Sequence, residues 1–157
     1  MYLLSNSAIH GAELDGANRT MIASLSRYSI YGAQGIALDV DTNRIYFTAS
    51  YGSRKVSYID LNSSNRSVKT LVQLYYRFWY YGYTYGITVD DQYVYFTYQR
   101  WNQGRVYRVN KTKGNGQLAI PVMGLSYPRG VAVQGGNTAS KSKYTYFLHL
   151  TVHANFF

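Results

Sequence analysis

The chain has 157 residues, no cysteine, and 16 lysines and arginines against 7 acids, for a formal charge of +9. One domain's length without cysteine excludes a disulfide framework, a thiolate metal site and a cysteine nucleophile. No apolar run approaches a membrane span, residues 1–4 are too short for the core of a signal peptide, and the basic balance fits acidic partners as well as it fits a merely solvated surface.

In chain order, residues 2–4 read as a short strand, and Leu14-Asp15-Gly16-Ala17-Asn18-Arg19 as a turn. Strands are expected at residues 35–39, 44–49, 55–60 and 68–73, separated by the turn compositions Asp41-Thr42-Asn43, Tyr51-Gly52-Ser53 and residues 61–67. The same order returns at residues 86–90, 93–98, 105–109 and 117–120, and an opening strand alone at residues 130–134. The tail, residues 135–157, drifts off the pattern, with residues 144–152 extended at poor register. No segment sustains a 3.6-residue apolar period, so helices should be scarce.

Within this order one phrase repeats. Gly35-Ile36-Ala37-Leu38-Asp39 followed by Tyr46-Phe47-Thr48 returns as Gly86-Ile87-Thr88-Val89-Asp90 followed by Tyr95-Phe96-Thr97, and Gly130-Val131-Ala132-Val133-Gln134 begins it again. Gly86 follows Gly35 by 51 positions and Gly130 follows Gly86 by 44. Four antiparallel strands per period of about 40–50 residues mark a propeller blade, a small sheet that buries its faces only by stacking on its neighbours. The expected fold is therefore all-β: a partial β-propeller of about three four-stranded antiparallel blades. These are residues 1–34 (partial), 35–85 and 86–129, with residues 130–134 opening the next. The competing reading is an antiparallel sandwich whose strands share composition, but shared composition does not require matching glycines and matching turns.

These residues resemble the low-density lipoprotein receptor class B repeat. There a Gly-Ile-Ala-Val-Asp strand precedes Leu-Tyr-Trp-Thr-Asp, and a later strand ends in Leu-Asp-Gly-x-Asn-Arg. Residues 14–19 match that last element almost letter for letter, and the resemblance covers roughly residues 2–134. Phe47 and Phe96 stand for the family's tryptophan, and Ala49 and Tyr98 for its closing aspartate. The resemblance implies weaker stitching between blades, since that aspartate bonds the neighbouring backbone. It also implies a six-bladed complete domain, so that these 157 residues supply only part of a ring. Uncovered sheet faces would then require the remaining blades or self-association.

Blade topology sorts the loops. Loops between strands 2 and 3 share an end with the connections between blades; loops between strands 1 and 2, and 3 and 4, share the other. All seven acids fall at the second end, as do the four Asn-x-Ser/Thr acceptors Asn18, Asn62, Asn65 and Asn110, which favour an extracellular chain. The first end carries Tyr51, Arg54, Arg77, Trp79, Tyr81, Arg100 and Trp101, of the types enriched in protein-binding hot spots. In the resembling family this end carries ligands. The expected function is non-enzymatic binding of a protein or acidic polysaccharide there. The alternatives are a lectin-like propeller stacking aromatics on sugar rings and, more remotely, a calcium-dependent propeller hydrolase. A further competing reading packs the aromatics of residues 74–85 between blades.

Chemistry is thinly signalled. Asp39 and Asp90 end inner strands, where carboxylates usually cap turns, and Gln134 breaks their series. His149 and His153 are four apart, but no third ligand or general-base glutamate accompanies them. The glycines at 32–35 and 114–116 open no helix, so no phosphate loop is expected, and no nucleic-acid-binding module is present. No cofactor or metal is expected.

Overall fold

The computed structural model describes residues 1–28, 30–51, 54–74, 82–113 and 118–133, with the backbone alone at Tyr51. The described residues form three antiparallel sheets in chain order. The first holds β1 (Tyr2–Leu4), β2 (Ala8–Gly11) and β3 (Thr20–Ser24). The second holds β4 (Tyr31–Asp39), β5 (Arg44–Tyr51), β6 (Lys55–Asp60) and β7 (Val68–Gln73). The third holds β8 (Tyr83–Val89), β9 (Tyr93–Arg100), β10 (Gln103–Asn110) and β11 (Ala119–Leu125). Each sheet is a plain meander, with neighbours in sequence paired in space. A single 3₁₀ turn at Ser26–Tyr28 is the helical content among the described residues.

Burial explains why β5 and β9 lack clean polar alternation. Ile45, Phe47 and Ala49 face the first sheet and pack with Ile9, Leu25 and Ile30. Tyr46, on the opposite side of β5, joins Val72, Leu74, Ile87, Phe96 and Tyr98 in a second core between the second and third sheets. A strand covered on both faces has no solvent side to mark with polar residues. Fully burying Phe47 and Phe96 contributes about 1.5–3 kcal/mol each.

The repeat is visible in irregularities as well as strands. Register shifts fall after Ala33 in the β4–β5 pairing and after Thr84 in β8–β9, so Gly35 and Gly86 sit in equivalent bulges. Further shifts follow Ile9, Val56 and Val106 in the pairings of the last two strands of each sheet. Leu25 N donates to Ser7 O at 2.7 Å, as Leu74 N donates to Arg54 O at 3.1 Å.

One cross-strand pair recurs with its partners exchanged. In the second sheet the Arg44 guanidinium lies 4.9 Å from the Tyr58 ring centroid; in the third, Arg108 lies 4.5 Å from that of Tyr93. Tyr46 opposes Tyr58 and Tyr95 opposes Arg108, so position 44 answers 93 and position 58 answers 108. Cation and ring have traded strands while the contact is kept.

The structure adds β2 and β3, which the sequence reading leaves out, starts β4, β8 and β10 before their expected ranges and carries β5 and β9 past theirs. The last strand of the third sheet is Ala119–Leu125 rather than residues 117–120: Arg108↔Ala119 keeps the spacing of Tyr58↔Lys69, so β11 takes the register of β7 and runs on past residue 120. Residues 130–133 carry the opening phrase but pair into no sheet among the described residues.

Candidate ligand-binding face

Chain connectivity gives the sheets two ends. The turns β2–β3, β4–β5, β6–β7, β8–β9 and β10–β11 lie at one end. The β1–β2, β5–β6 and β9–β10 loops and the links between sheets lie at the other. Glu13, Asp15, Asp39, Asp41, Asp60, Asp90 and Asp91, all seven acids, belong to the first end.

The acidic end is built from turn caps. The Asp39 carboxylate accepts from Thr42 N at 3.4 Å and Thr42 Oγ1 at 2.6 Å. Asp90 accepts from Gln92 N at 2.8 Å, Tyr93 N at 2.7 Å and Tyr95 OH at 2.9 Å. Burial first, and then the Asp90 bond and charge, push the Tyr95 hydroxyl up, keeping it a donor. Lys111 Nζ reaches across from the third sheet to Asp39 Oδ2 at 2.7 Å. Burial by itself would raise the Asp39 carboxyl, but the Lys111 and Thr42 bonds and the Lys111 charge outweigh it, leaving the pKa lowered. Both carboxylates, at the β4–β5 and β8–β9 turns, are thus engaged in those turns, and no cluster of three metal-capable side chains occurs among the described residues.

The four acceptor asparagines differ in their engagement. Asn110 Oδ1 caps its turn, accepting from Thr112 N, Thr112 Oγ1 and Lys113 N. Asn18 Nδ2 donates to Glu13, and Asn62 Oδ1 accepts from Asn43 Nδ2 at 2.7 Å. Asn65 is exposed and contributes its backbone carbonyl, not its side chain, to the turn bonds from Ser63 and Ser67.

At the opposite end, Arg100, Trp101, Asn102 and Gln103 line an open cleft of about 590 Å³. Trp101 is 68% exposed and holds a left-handed φ of 52°, in a two-residue loop between β9 and β10. Gln99 Nε2 donates to the Trp101 carbonyl and supports that loop from below. Tyr127, 57% exposed at φ 49°, donates its hydroxyl to Asn102 Oδ1 at 2.9 Å. Aromatic residues rarely adopt such backbone, and residues so held concentrate at functional sites. The loop therefore presents the exposed Trp101 ring beside Arg100, and Asn102 ties the exposed Tyr127 to it.

Tyr51 and Arg54 occupy the corresponding loop of the second sheet, where Arg54 also has a left-handed φ of 42°. Arg77, Trp79 and Tyr81 lie outside the described residues, as do Gln134, His149, His153 and the glycines at 114–116. The aromatic wealth of this end was legible in the sequence; the Asn102 bridge was not, because nothing in local spacing brings residue 127 to residue 102.

At the junction between the second and third sheets, two hydroxyls of β5 reach the backbone of β8. Thr48 Oγ1 accepts from Gly35 N at 2.9 Å and donates to Tyr85 O at 2.7 Å. Ser50 Oγ donates to Thr84 O at 2.6 Å and accepts from Thr84 N at 3.1 Å. A hydroxyl both donates and accepts, so it stitches two backbones without a charge. The expectation of weaker stitching thus meets a junction crossed by three of these hydroxyl bonds, two of them buried.

A scan of the sequence against protein-family models finds no match. No helix among the described residues is long and apolar enough to cross a membrane.

Proposed function

We propose that this chain is a segment of an extracellular β-propeller of the low-density lipoprotein receptor class B kind. In this reading it acts without catalysis and binds an acidic protein or polysaccharide on the end bearing Tyr51, Arg54, Arg100 and Trp101. Arg77, Trp79 and Tyr81 belong to the loop that would complete that surface. The observation that carries the reading is the segregation of all seven acids to the opposite end of the sheets. A face without carboxylates attracts anions and suppresses cationic partners. Three sheets in series, with equivalent bulges and equivalent junction glycines, support the repeat half of the reading.

A second reading, carbohydrate stacking, draws on Trp101 and Tyr127 beside the cleft. Titration of the chain with a sulfated heparan-type oligosaccharide and its desulfated form, at low and high salt, separates the two. The acidic-ligand reading expects binding of the sulfated form only, weakened by salt. It also expects a loss of about 1 kcal/mol or more in Trp101→Ala. Equal binding of both forms, indifferent to salt, favours sugar stacking. No binding to either, nor to an acidic protein, would sink the proposal.

A further inference from the structure

The junction between the second and third sheets repeats at the far side of the third. A Cβ on Gly35 would meet Tyr85 O at 2.3 Å, and one on Gly86 would meet Arg129 O at 2.6 Å and Gly130 Cα at 2.7 Å. Gly86 N donates to Thr97 Oγ1 at 2.9 Å, as Gly35 N does to Thr48 Oγ1. The Arg129 guanidinium lies 4.1 Å from the Tyr85 ring centroid. Residues 130–133, Gly-Val-Ala-Val, therefore begin where the inner strand of a following sheet belongs, yet pair with nothing among the described residues.

The first sheet lacks that strand. The Leu4↔Ile9 pairing followed by a shift after Ile9 matches Thr48↔Val56 followed by a shift after Val56. β1 thus corresponds to the second strand β5, and it packs on β4 as β5 packs on β8. Among the described residues its outer edge is open where β5 has β4. Meanwhile the third sheet presents an uncovered face. Val122 pairs with Val106 as Val72 pairs with Val56, but Val72 is 1% exposed beneath the third sheet and Val122 is 41% exposed.

We propose that two copies of the chain exchange residues 130–133, each copy's segment adding to the open edge of β1 in the other. The occupant is a second copy because, within one chain, the second sheet stands between β1 and residues 130–133. Exchange gives each first sheet its fourth strand and lays the first sheet of one copy on the exposed face of the third sheet of the other. Ile36 opposes Phe47 and Ile87 opposes Phe96, so Val131 opposes Leu3 and Ala132 opposes Tyr2. The inference rests on the stacked-repeat reading and not on any ligand.

The chain contains no cysteine, so a cross-link can be introduced without background. In the full chain, Leu3→Cys with Val131→Cys should give a covalent dimer on mild oxidation, since directly opposed residues lie within disulfide reach. Leu4→Cys with Val131→Cys should not, because a one-residue slip turns the side chain to the other face. Mixing the two single variants, Leu3→Cys and Val131→Cys, should also give a disulfide between chains, even if the double variant fails to fold. The unmodified chain should sediment at twice its own mass. A monomer in sedimentation, a disulfide within one chain, or equal cross-linking of both double variants would overturn the proposal. None of these readouts depends on ligand binding.

Discussion

Lys111 and Asp39 stand 72 positions apart, and their side chains meet at 2.7 Å with 6% and 5% exposure. The pair ties the last turn of the third sheet to the first turn of the second. Removing one partner leaves the other charge buried, so Lys111→Met or Asp39→Asn should each cost about 3–5 kcal/mol, and the double variant less than their sum. The folded pKa of Asp39 is lowered, so its contribution is complete above the ordinary value of 3.8 and is lost as pH falls through the folded value. Urea unfolding should show the gap between native chain and Asp39→Asn shrinking in acid. A gap unchanged from neutral pH into acid would contradict this account.

Gly35 is required by its neighbour rather than by its own backbone. A methyl group there would meet the Tyr85 carbonyl, which belongs to a paired strand and cannot turn aside. Gly35→Ala should destabilise by about 1–3 kcal/mol, the usual cost of overpacking. Gly86→Ala should cost less, because the backbone it meets at residues 129–130 belongs to no sheet of the same chain. Denaturant midpoints of the two variants compare them directly.

The exchanged contacts Arg44–Tyr58 and Tyr93–Arg108 predict their own rescue. Arg44→Tyr or Tyr58→Arg alone should lose about 0.5–1 kcal/mol. The double variant, which copies the arrangement of the third sheet, should recover most of it. Additive losses in a double-mutant cycle would show that the positions are not interchangeable.

Trp101 separates a ligand anchor from a packing residue. Its φ of 52° strains a side-chain-bearing residue, and glycine relieves that strain. Trp101→Gly should leave thermal stability unchanged or raise it by up to about 1 kcal/mol, while weakening the binding of an acidic ligand. A stability loss larger than that would assign the ring to the fold instead.

Among the four acceptors, Asn65 should carry the most glycan when the chain is secreted from a eukaryotic host, since its side chain caps nothing. Asn110, whose Oδ1 holds three donors, should carry the least. Peptide mass mapping after secretion reads the occupancy at each site, and a reversed order would refute the link to turn capping.

Much of the local structure was legible because it is written in local pattern. β6 and β7 run as expected, since their alternation and flanking turns are complete within each segment. β4, β5 and β9 extend beyond expectation at residues 31–34, 50–51 and 99–100, where the residues pair because a partner strand is alongside, as Tyr31 does with Tyr51. β11 runs five residues beyond its expected end at residue 120, because exposed residues such as Pro121 and Gly124 give weak strand signal.

By itself the sequence determined the repeat, the all-β class and the end of the sheets at which the seven acids lie, because period-two alternation and turn chemistry act between near neighbours. Only the tertiary structure decided that Lys111 answers Asp39, that Thr48 and Ser50 stitch the sheets, and that Tyr127 reaches Asn102. Those contacts join residues 25 to 72 positions apart, and sheet stacking, or for Tyr127 the pairing of β10 with β11, brings them within hydrogen-bond reach.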